Sequence, residues 1–517
     1  MPTTAADRIQ AAERLEADVL VVGGGVNGAG IARDLAGRGV RVVLCEKDDL
    51  AAHTSSASTK LVHGGLRYLE YREFALVRKA LAEREVLLKS APHIMWPLRF
   101  VMPHDPSMRP VWMIRLGLFL YDHLARREVL PPSRTVDLRH HVAGQPLDIR
   151  FTKGFVYSDG WVDDARLVAL CAVDAAERGA TVLTRCACVD AVRAPSGWSA
   201  RLERGAGGAP IEVRAHALVN AAGPWAAQFL TEHAHSPDRV ALRLVKGSHI
   251  VVPKLFDHDH AYIFQNADGR IIFAIPYEGE FTLIGTTDVE HHGEIGNVHA
   301  DADEIAYLCE QASRYFARPV RPADVVWTYS GVRPLLDDES GSPAAVTRDY
   351  RLELDTRGGA PLLSVWGGKI TTFRKLAEEA AERLLPALTA GADAASAARW
   401  TGAWTAHAAL PGGDLRATLG SDAPPASDVT ATFERFAAAL AERHPGADAA
   451  LVRRLARAYG TRAETILARS LGAEVAPGLF ESELVYLRDA EWAVSADDVL
   501  WRRSKLGLHL DARQRAA

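Results

Sequence analysis

The pattern of apolar and polar positions near the N-terminus alternates between two kinds of element. The run VLVVG at residues 19–23 is short and continuously apolar, which is typical of a strand buried on both faces. The next segment, GGVNGAGIARDLAGRGV, has helical spacing, and RVVLCEK at residues 41–47 is a second β-branched strand. Together they predict a βαβ unit of about thirty residues with a right-handed crossover.

Further along the chain the apolar spacing changes twice. Between residues 181 and 290, short segments such as TVLTRCACVDAVRA and SHIVVP are joined by glycine-containing turns, which predicts a mixed or antiparallel sheet. Residues 385–413 are rich in Ala, Gly and Thr, as expected of a linker. From about residue 428 the spacing is helical, and Ser495 with Asp498 has the spacing of a capping box. The pattern predicts an α/β protein followed by a helical C-terminal domain.

The composition excludes several classes of protein. A chain of 517 residues is too long for one ordinary core, so we expect two or three domains. The net charge of -5 argues against nucleic acid as a partner. The five cysteines include no CxxC pair, so we expect reduced thiols, no disulfide framework and no metal site. There is no signal-peptide pattern and no run of ~18 apolar residues. These features predict a cytoplasmic protein that does not cross a membrane.

A dinucleotide fingerprint follows the first strand. Gly23, Gly25 and Gly28 form GxGxxG where the predicted helix begins. The first glycine permits a tight turn, the second lets the backbone approach a pyrophosphate, and the third allows close helix–strand packing. Glu46 ends the second strand, where a carboxylate accepts hydrogen bonds from an adenosine ribose. The fingerprint predicts a Rossmann-like domain but does not separate NAD from FAD.

The segment AAHTSSASTKLVHGGLRYLE at residues 51–70 bears on that choice. Its small hydroxyl residues are potential donors to a diphosphate and a flavin, and two glycines permit close backbone approach. An ordinary polar loop explains the segment alone equally well. The residues concerned are Ser55, Ser56, Ser58, Thr59, Gly64 and Gly65.

Two later segments favour FAD. ALVNAAGPWA predicts a strand that ends beside the cofactor at Ala222 and Gly223. LLSVWGGKITTFRKLAE predicts a strand, a glycine turn and a helix, whose N-terminus directs Lys369, Thr371 and Thr372 towards a flavin's pyrimidine edge. No second GxGxxG occurs. We therefore expect a tightly held FAD contacted by distant segments rather than a separate nicotinamide site.

Eight segments, in this order, resemble the FAD-dependent, quinone-linked glycerol-3-phosphate dehydrogenase family. The resemblance covers nearly the whole chain from about residue 17, and it continues through LPGG and EWAVSADDVLWRRSKLGL near the C-terminus. The segments are GGGVNGAGIARDLAGRG, SSASTKLVHGGLRYLE, LAEREVLL, NAAGPW, KGSHIVVP, IGTTD, WTYSGVRPL and GGKITTFRKLAE.

The resemblance implies a fold and an activity. The fold is a Rossmann-like FAD-binding domain beside a substrate sheet, as in glycine and amino-acid oxidases. The activity is oxidation of sn-glycerol 3-phosphate to dihydroxyacetone phosphate, with hydride transfer from C2 to flavin N5. Bacterial and mitochondrial members pass electrons to a membrane quinone, and a related oxidase branch uses oxygen.

We expect three domains and an extension. Residues 1–16 form the extension, and residues 410–517 form the helical C-terminal domain. Within residues 17–395 an FAD-binding domain, mainly 17–90, 150–235 and 325–390, is interleaved with a substrate-binding domain, mainly 91–149 and 236–324. We also assign to cofactor binding six residues in the matched segments, namely Asn27, Lys60, His63, Gly331, Gly368 and Ile370.

The reaction needs an anchor for a dianionic phosphate and a base for a hydroxyl proton. The guanidinium fork of arginine suits the anchor, so Arg333 is the first candidate and Arg67 the second, with Tyr68 beside them. The base is His249, His63 or Lys369, since an imidazole titrates near working pH and desolvation lowers the pKa of a lysine. The sequence leaves this choice open.

The segment RPVWMIRLGLFLYDHL bears on attachment to a membrane. Aromatic and basic side chains suit a membrane interface, but apolar residues cover most of the helix circumference, so we favour burial or a subunit contact. Peripheral attachment at the inner face of the cytoplasmic membrane therefore rests on the resemblance, and the sequence leaves a homodimer open. The alternatives are an oxygen-reducing oxidase of the same fold and a flavin-binding scaffold without turnover.

Overall fold

The glycine-rich turn near the N-terminus joins a buried strand to a buried helix, as the apolar spacing predicts. In the computed structural model, strand β1 (Arg14–Val22) leads into helix α1 (Val26–Gly37) and strand β2 (Val42–Cys45). The last six residues of β1 and all four of β2 are buried. The structure describes residues 14–106, 109–205, 208–266, 268–336, 349–389 and 400–516.

The first strand begins earlier than predicted. Arg14 already pairs with Glu212, so residues 14–16 of the predicted extension belong to β1. The apolar pattern reveals only the buried part of a strand, whereas backbone pairing continues past the edge of the core. Residues 1–13 lie outside the described part of the chain.

One sheet forms the Rossmann-like half of the molecule. Five of its strands are parallel, in the order β18, β10, β1, β2, β7, while β17 pairs antiparallel with β18, and β8 and β9 extend from β10. The further strands are β7 (Thr181–Leu183), β8 (Cys186–Ala194), β9 (Gly197–Arg204), β10 (Ile211–Asn220), β17 (Arg351–Asp355) and β18 (Leu362–Trp366).

A second, mixed sheet lies beside the first. All of its pairings are antiparallel except β4 with β12. Its strands are β3 (Leu61–Val62), β4 (Met95–Pro103), β5 (Arg134–Asp137), β6 (Lys153–Val162), β11 (Leu242–Pro253), β12 (Ala261–Gln265), β13 (Ile271–Tyr277), β14 (Phe281–Gly285), β15 (Val289–Glu290) and β16 (Trp327–Leu336). This sheet, the Rossmann-like half and the helical C-terminal region confirm the predicted fold class.

Two strands lie in a different sheet from the one expected. β6 pairs with β4 from Met95 opposite Val162 to Pro103 opposite Gly154, and β16 pairs with β11 over ten residues. Both therefore belong to the mixed sheet, although the sequence places residues 150–235 and 325–390 mainly in the FAD-binding domain. A short apolar run indicates a strand but does not indicate which sheet the strand joins.

Helices pack on both sheets and form the C-terminal domain. α1 packs with α4 and α7 against one face of the parallel strands. In the C-terminal domain, Ser495 and Asp498 form the predicted capping box, since the Ser495 amide donates to the Asp498 carboxylate at 3.0 Å and the Asp498 amide donates to the serine hydroxyl at 3.3 Å. The helices are α2 (Phe74–Ser90), α3 (Val111–His123), α4 (Asp164–Glu177), α5 (Ala226–Gln228), α6 (Ala302–Ser313), α7 (Phe373–Thr389), α8 (Leu415–Leu419), α9 (Val429–Arg443), α10 (Ala449–Tyr459), α11 (Ala463–Leu467), α12 (Glu481–Glu491) and α13 (Ala512–Ala516), with a short hairpin of β19 (Glu474–Ala476) and β20 (Leu479–Phe480).

His93 lies at the junction with the C-terminal domain and makes stability depend on pH. It is fully buried, and within the described residues neither ring nitrogen has a hydrogen-bond partner. Burial, reinforced by the charge of Arg166, lowers the pKa of His93 to about 3. The unfolded chain therefore takes up a proton below about pH 6.5 that the folded chain does not, so stability falls as the pH falls from 6.5 towards 3.

We expect His93→Leu to lose less thermal stability in acid than the parent enzyme. Because only the unfolded chain protonates His93, the free energy of unfolding falls by up to about 1.4 kcal/mol per pH unit. Removing this group should therefore reduce the fall in Tm between pH 7.5 and 5.5 by about 1 °C. Differential scanning calorimetry of the holoenzyme measures this fall. The matched control is His140→Leu, at an exposed position. Equal acid losses in the two variants would contradict the assignment.

Candidate functional site

A trough runs from the carboxyl ends of the parallel strands to the mixed sheet. It consists of two chambers of about 400 and 300 Å³, which we name the near chamber and the far chamber. The loops that follow β1, β2, β10 and β18 line the near chamber, which is where doubly wound sheets bind ligands. Six residues line both chambers, namely Val26, Thr54, Ser55, Pro334, Gly367 and Gly368. The trough therefore suits one elongated ligand.

The three fingerprint glycines answer to different constraints. Gly23 has φ +112°, and a Cβ there would lie 2.4 Å from the carbonyl oxygen of Ala221. A Cβ at Gly28 would lie 1.9 Å from the carbonyl oxygen of Gly23. Gly25 lines the near chamber, and the nearest atom to its Cβ would be Ser55 Oγ at 3.1 Å. A side chain at the first or third glycine would therefore collide with the protein's own backbone, whereas a side chain at the second would occupy space in the near chamber.

Glu46 presents a buried carboxylate to the near chamber. The Gly24 amide donates to Oε2 at 2.6 Å, and the Asp48 amide donates to Oε1 at 2.9 Å. Burial raises the pKa of Glu46, and the two amides oppose that shift. Each carboxylate oxygen keeps further acceptor capacity, which suits the hydroxyls of a ribose.

Asn27 marks the point where the two chambers meet. Its Nδ2 donates to the carbonyl of Gly367 at 3.1 Å, and its buried Oδ1 has no hydrogen-bond partner within the described residues. Gly367 and Gly368 have φ +69° and +105°, and both line the chambers beside it. The buried Oδ1 thus lies between the N-terminus of α1 and the turn at Gly367 and Gly368. This arrangement fits a cofactor whose polar groups pass between the two.

The hydroxyl-rich loop uses several of its polar groups within the protein. Ser55 Oγ accepts from the Val26 amide at 2.9 Å, and Ser58 Oγ donates to Asp164 at 2.7 Å. Lys60 Nζ donates to the same carboxylate at 2.7 Å, with both side chains fully buried. The loop is thus fixed by α4, and this fixes which of its groups face the trough.

Three cationic side chains reach the far chamber. Arg333 forms an ion pair with Asp288 and donates to Thr286 Oγ1 at 2.9 Å. Lys369 Nζ lies 3.8 Å from the ring centroid of Tyr68. Arg67 contacts the hydroxyl of Tyr71 at 3.4 Å. These three side chains supply donors for an anionic ligand, although the carboxylates of Asp159, Asp288 and Asp349 line the same chamber.

His249 lies behind the wall of the far chamber. It is fully buried, its Nε2 lies 3.0 Å from Thr59 Oγ1, and its ring stacks on Tyr329 with centroids 4.7 Å apart. Burial, reinforced by the charges of Arg333 and Lys60, lowers the pKa of His249 well below its usual range. The ring is therefore neutral, and Thr59, which lines the chamber, lies between it and the trough.

The predicted site residues divide into three groups. Within the described residues, six do not line either chamber: Gly28, Ser56, Lys60, Gly64, His249 and Thr372. The near chamber is lined by Gly23, Gly25, Asn27, Glu46, Ser55, Ala222, Gly223 and Gly368. The far chamber is lined by Ser55, Ser58, Thr59, His63, Gly65, Arg67, Tyr68, Gly331, Arg333, Gly368, Lys369, Ile370 and Thr371.

Some residues outside the chambers have structural partners instead. Lys60 neutralises the buried Asp164, and the Gly64 amide donates to the Tyr121 hydroxyl at 2.8 Å. Ser56 Oγ donates to the carbonyl of His53 at 3.1 Å. A sequence motif indicates which residue occupies a position but not whether its side chain faces the trough.

Sequence reasoning missed several residues of the trough. Thr286 and Asp288 lie in the matched segment IGTTD and line the far chamber beside Arg333, so the motif itself was the available signal. Trp225 lines the near chamber with Lys47 over its ring at 3.7 Å and His53 against its edge at 4.6 Å. Trp225 belongs to the matched segment NAAGPW, which gave it a signal as well.

Burial of α3 within its own chain, one of the two favoured possibilities, is wrong, whereas a subunit contact stays a prediction. Its exposed face carries Trp112, Leu116 and Phe119, which are 64%, 51% and 52% exposed, and only Leu118, Tyr121 and Asp122 of the helix are buried. Because apolar residues occur on most of its circumference, the sequence does not show which face packs. In the described part of the chain, no helix is long and apolar enough to span a membrane.

The Rossmann-like turn, the ribose carboxylate and the cationic far chamber define an FAD-dependent oxidoreductase. The family described as FAD dependent oxidoreductase matches residues 18–374, and the C-terminal domain of alpha-glycerophosphate oxidase matches residues 403–517. The chain belongs to the FAD-dependent glycerol-3-phosphate dehydrogenase family, and FAD is its cofactor.

Similar proteins carry two related names. A glycerol-3-phosphate dehydrogenase of Pseudomonas aeruginosa is 51% identical over 96% of this chain and 93% of its own. The aerobic glycerol-3-phosphate dehydrogenase of Escherichia coli is 48% identical over 96% of each chain. A D-erythritol 1-phosphate dehydrogenase of Brucella abortus is 50% identical over 98% of this chain and 97% of its own.

A solved structure supports the fold. The glycerol-3-phosphate dehydrogenase of Bacillus halodurans, complexed with FAD, superposes with a TM-score of 0.75 at 27% identity, covering 97% of this chain and 89% of the other.

Proposed function

We propose that this enzyme oxidises sn-glycerol 3-phosphate to dihydroxyacetone phosphate. The observation that carries the proposal is the convergence of Arg67, Arg333 and Lys369 on the far chamber of the trough that fits FAD. Three cations match a dianionic phosphate, and the apolar wall beside them, which includes Phe273, excludes water from the reacting carbon.

The division of labour follows from the geometry. Arg333 is oriented by Asp288 and Thr286, so its guanidinium is held in one direction before substrate binds. We assign the phosphate to Arg333 and Arg67, with Lys369 and Tyr68 closing the same side of the chamber. FAD held by residues such as Gly25, Asn27 and Glu46 would supply the acceptor for the hydride of C2.

The hydroxyl proton needs an unprotonated acceptor. The imidazole of His249 is neutral and lies 3.0 Å from Thr59 Oγ1, and that hydroxyl lines the chamber. We assign the proton to His249 by way of the Thr59 hydroxyl, so the histidine does not contact the substrate itself. His63 and Lys369, which line the chamber themselves, are the alternatives.

The relative from Brucella abortus supports a second candidate substrate, D-erythritol 1-phosphate. Both compounds are phosphorylated polyols with a secondary alcohol, so the cationic chamber serves either. Steady-state kinetics with both, and with glycerol, decides between them. We expect the largest kcat/KM for sn-glycerol 3-phosphate and little turnover of glycerol. A higher kcat/KM for D-erythritol 1-phosphate would replace the first substrate by the second.

We propose a membrane quinone as the electron acceptor. The resemblance to quinone-linked dehydrogenases supports this, and so does Tyr71, which lines the far chamber and is itself 45% exposed. The rival is an oxidase that reduces oxygen to peroxide. Turnover with a soluble quinone analogue under nitrogen supports the dehydrogenase, whereas stoichiometric peroxide in air with no quinone reduction supports the oxidase.

We further propose that the enzyme binds peripherally to the inner face of the cytoplasmic membrane through the exposed face of α3. Trp112, Leu116 and Phe119 follow one another at helical spacing on that face, with Arg109 and Arg115 beside them. Aromatic and aliphatic side chains with basic neighbours bind the boundary between headgroups and acyl chains.

Removing this apolar face should release the enzyme from membranes. For the triple variant Trp112→Ser, Leu116→Ser, Phe119→Ser, we expect binding to anionic phospholipid vesicles to weaken about tenfold or more, with unchanged turnover of a soluble acceptor. Vesicle flotation measures binding. The matched control replaces Ile149 and Val494, which are 93% and 73% exposed, by serine. Vesicle binding by the triple variant equal to that of the control would contradict the assignment.

A further inference from the structure

Residues 498–505 of the C-terminal domain contact the loops that line the near chamber, and we name these residues the arginine segment. Arg502 Nε donates to Asp49 Oδ2 at 2.6 Å, and Arg503 donates to Oδ2 and Oδ1 of the same carboxylate at 2.7 and 2.8 Å. The Asp49 and Arg503 side chains are each 1% exposed. A carboxylate taken out of water is stable only when it is paired in this way, so Asp49 depends on the arginine segment.

Asp49 belongs to the loop that follows β2. This loop carries Glu46 and Ser55, which both line the near chamber. The amide of Ala51 donates to the carbonyl of Gly24 in the glycine turn at 3.2 Å. Ala51 itself has φ +59°, a region that residues other than glycine rarely adopt, so the loop needs contacts beyond its own backbone to hold its shape.

A second wall of the near chamber is attached to the same segment. Arg185, between β7 and β8, donates to Asp498 Oδ2 at 2.6 Å and has φ +53°. Its amide donates to the carbonyl of Asp48 at 2.8 Å, which ties the two loops together. The residues that follow Arg185, from Cys186 to Val189, line the near chamber.

We propose that the arginine segment is a positioning element for FAD, through which the C-terminal domain holds both loops around the near chamber. Its residues do not touch the trough themselves: the contacts run from Arg502 and Arg503 through Asp49, and from Asp498 through Arg185. Loss of one of these contacts should loosen the cofactor while leaving the far chamber and its phosphate anchor intact.

The rate of FAD release from the holoenzyme tests this proposal. Arg502 is 17% exposed and also pairs with Asp498, so Arg502→Met removes the contacts to Asp49 and Asp498 together without burying a new polar group. We expect FAD to leave Arg502→Met about tenfold faster than the parent, measured by the rise in flavin fluorescence, with an intermediate rate for Arg502→Lys. KM for sn-glycerol 3-phosphate should stay within about twofold of the parent value.

The control separates positioning from general loosening of the domain. Arg453 forms an ion pair with Glu434 in the same domain and is 53% exposed, so Arg453→Met makes the same change of side chain at a surface pair that does not reach the loops. We expect Arg453→Met to release FAD at the parent rate. Equal release rates in Arg502→Met and Arg453→Met would overturn the proposal, whichever substrate the enzyme uses. If Arg502→Met does not fold, Arg185→Met, at a 31% exposed position, replaces it with the same expected result.

Discussion

Gly25→Val should yield a folded protein that contains no FAD. Of the three fingerprint glycines, Gly25 is the one whose added Cβ would not collide with backbone, because the nearest atom is the side-chain Oγ of Ser55 at 3.1 Å. The added methyl groups would project into the near chamber at the N-terminus of α1, where the cofactor's diphosphate has to approach the backbone. We therefore expect loss of the cofactor without loss of the fold.

The ratio of flavin absorbance to protein absorbance measures the effect, and circular dichroism monitors the fold. The matched control is Gly446→Val, since Gly446 has no atom within 4 Å of an added Cβ. The control should keep a full complement of FAD. A Gly25→Val enzyme that is purified fully yellow would contradict the position assigned to the diphosphate. Gly28→Val is not informative, because its Cβ meets the Gly23 carbonyl at 1.9 Å whatever the ligand.

Arg333→Met should leave FAD bound and abolish most turnover at low substrate concentration. A charge-assisted hydrogen bond to phosphate is worth about 1.5–3 kcal/mol, and a bidentate pair doubles the loss, so KM should rise about 10²- to 10⁴-fold. The change also removes the Arg333 charge that balances Asp288 inside the chamber, so this carboxylate repels the substrate's phosphate more strongly. Arg333→Lys should recover only part of the affinity, because an ammonium group lacks the planar fork.

A double variant separates the two causes. Arg333→Met with Asp288→Asn removes the repulsion as well as the anchor, so its KM should fall below that of Arg333→Met alone. Steady-state kinetics with sn-glycerol 3-phosphate provides the comparison. Unchanged kinetics in Arg333→Met would remove this arginine from the anchor role and transfer the role to Arg67.

The cofactor half of the site was predictable because it depends on local sequence. The strand, turn and helix around Gly23 and the carboxylate of Glu46 lie within one βαβ unit, and apolar spacing with glycine chemistry suffices to place them. The hydroxyl loop was harder to predict. Ser58 and Lys60 use polar groups on Asp164, more than a hundred residues away in the chain, so their direction depends on tertiary packing.

The substrate half depends on strand register, which the sequence does not reveal. His249 pairs with Gly285 on one side and with Tyr329 on the other, and this register turns its ring away from the trough. A Cβ at Gly285 would lie 2.1 Å from the imidazole, so the neighbouring strand needs a glycine there to leave room for the buried histidine. The motif identified the residue without showing which face of the sheet it occupies.

The sequence also does not show which face of a surface helix is exposed. The apolar run of α3 predicts a helix correctly, yet its Trp112 and Phe119 are exposed and its Tyr121 is buried. The contacts that hold Asp49 join residues about 450 positions apart, so no pattern along the chain indicates them. Such contacts connect the C-terminal domain to the cofactor loops only in the folded protein.

Anaerobic titration of the purified enzyme with sn-glycerol 3-phosphate tests the central claim most directly. If the cationic far chamber holds the phosphate so that C2 faces a bound FAD, the yellow absorbance should bleach in one step, and glycerol at the same concentration should have no effect. Yellow absorbance that persists in excess sn-glycerol 3-phosphate and in excess D-erythritol 1-phosphate would contradict the claim that this chamber oxidises phosphorylated polyols.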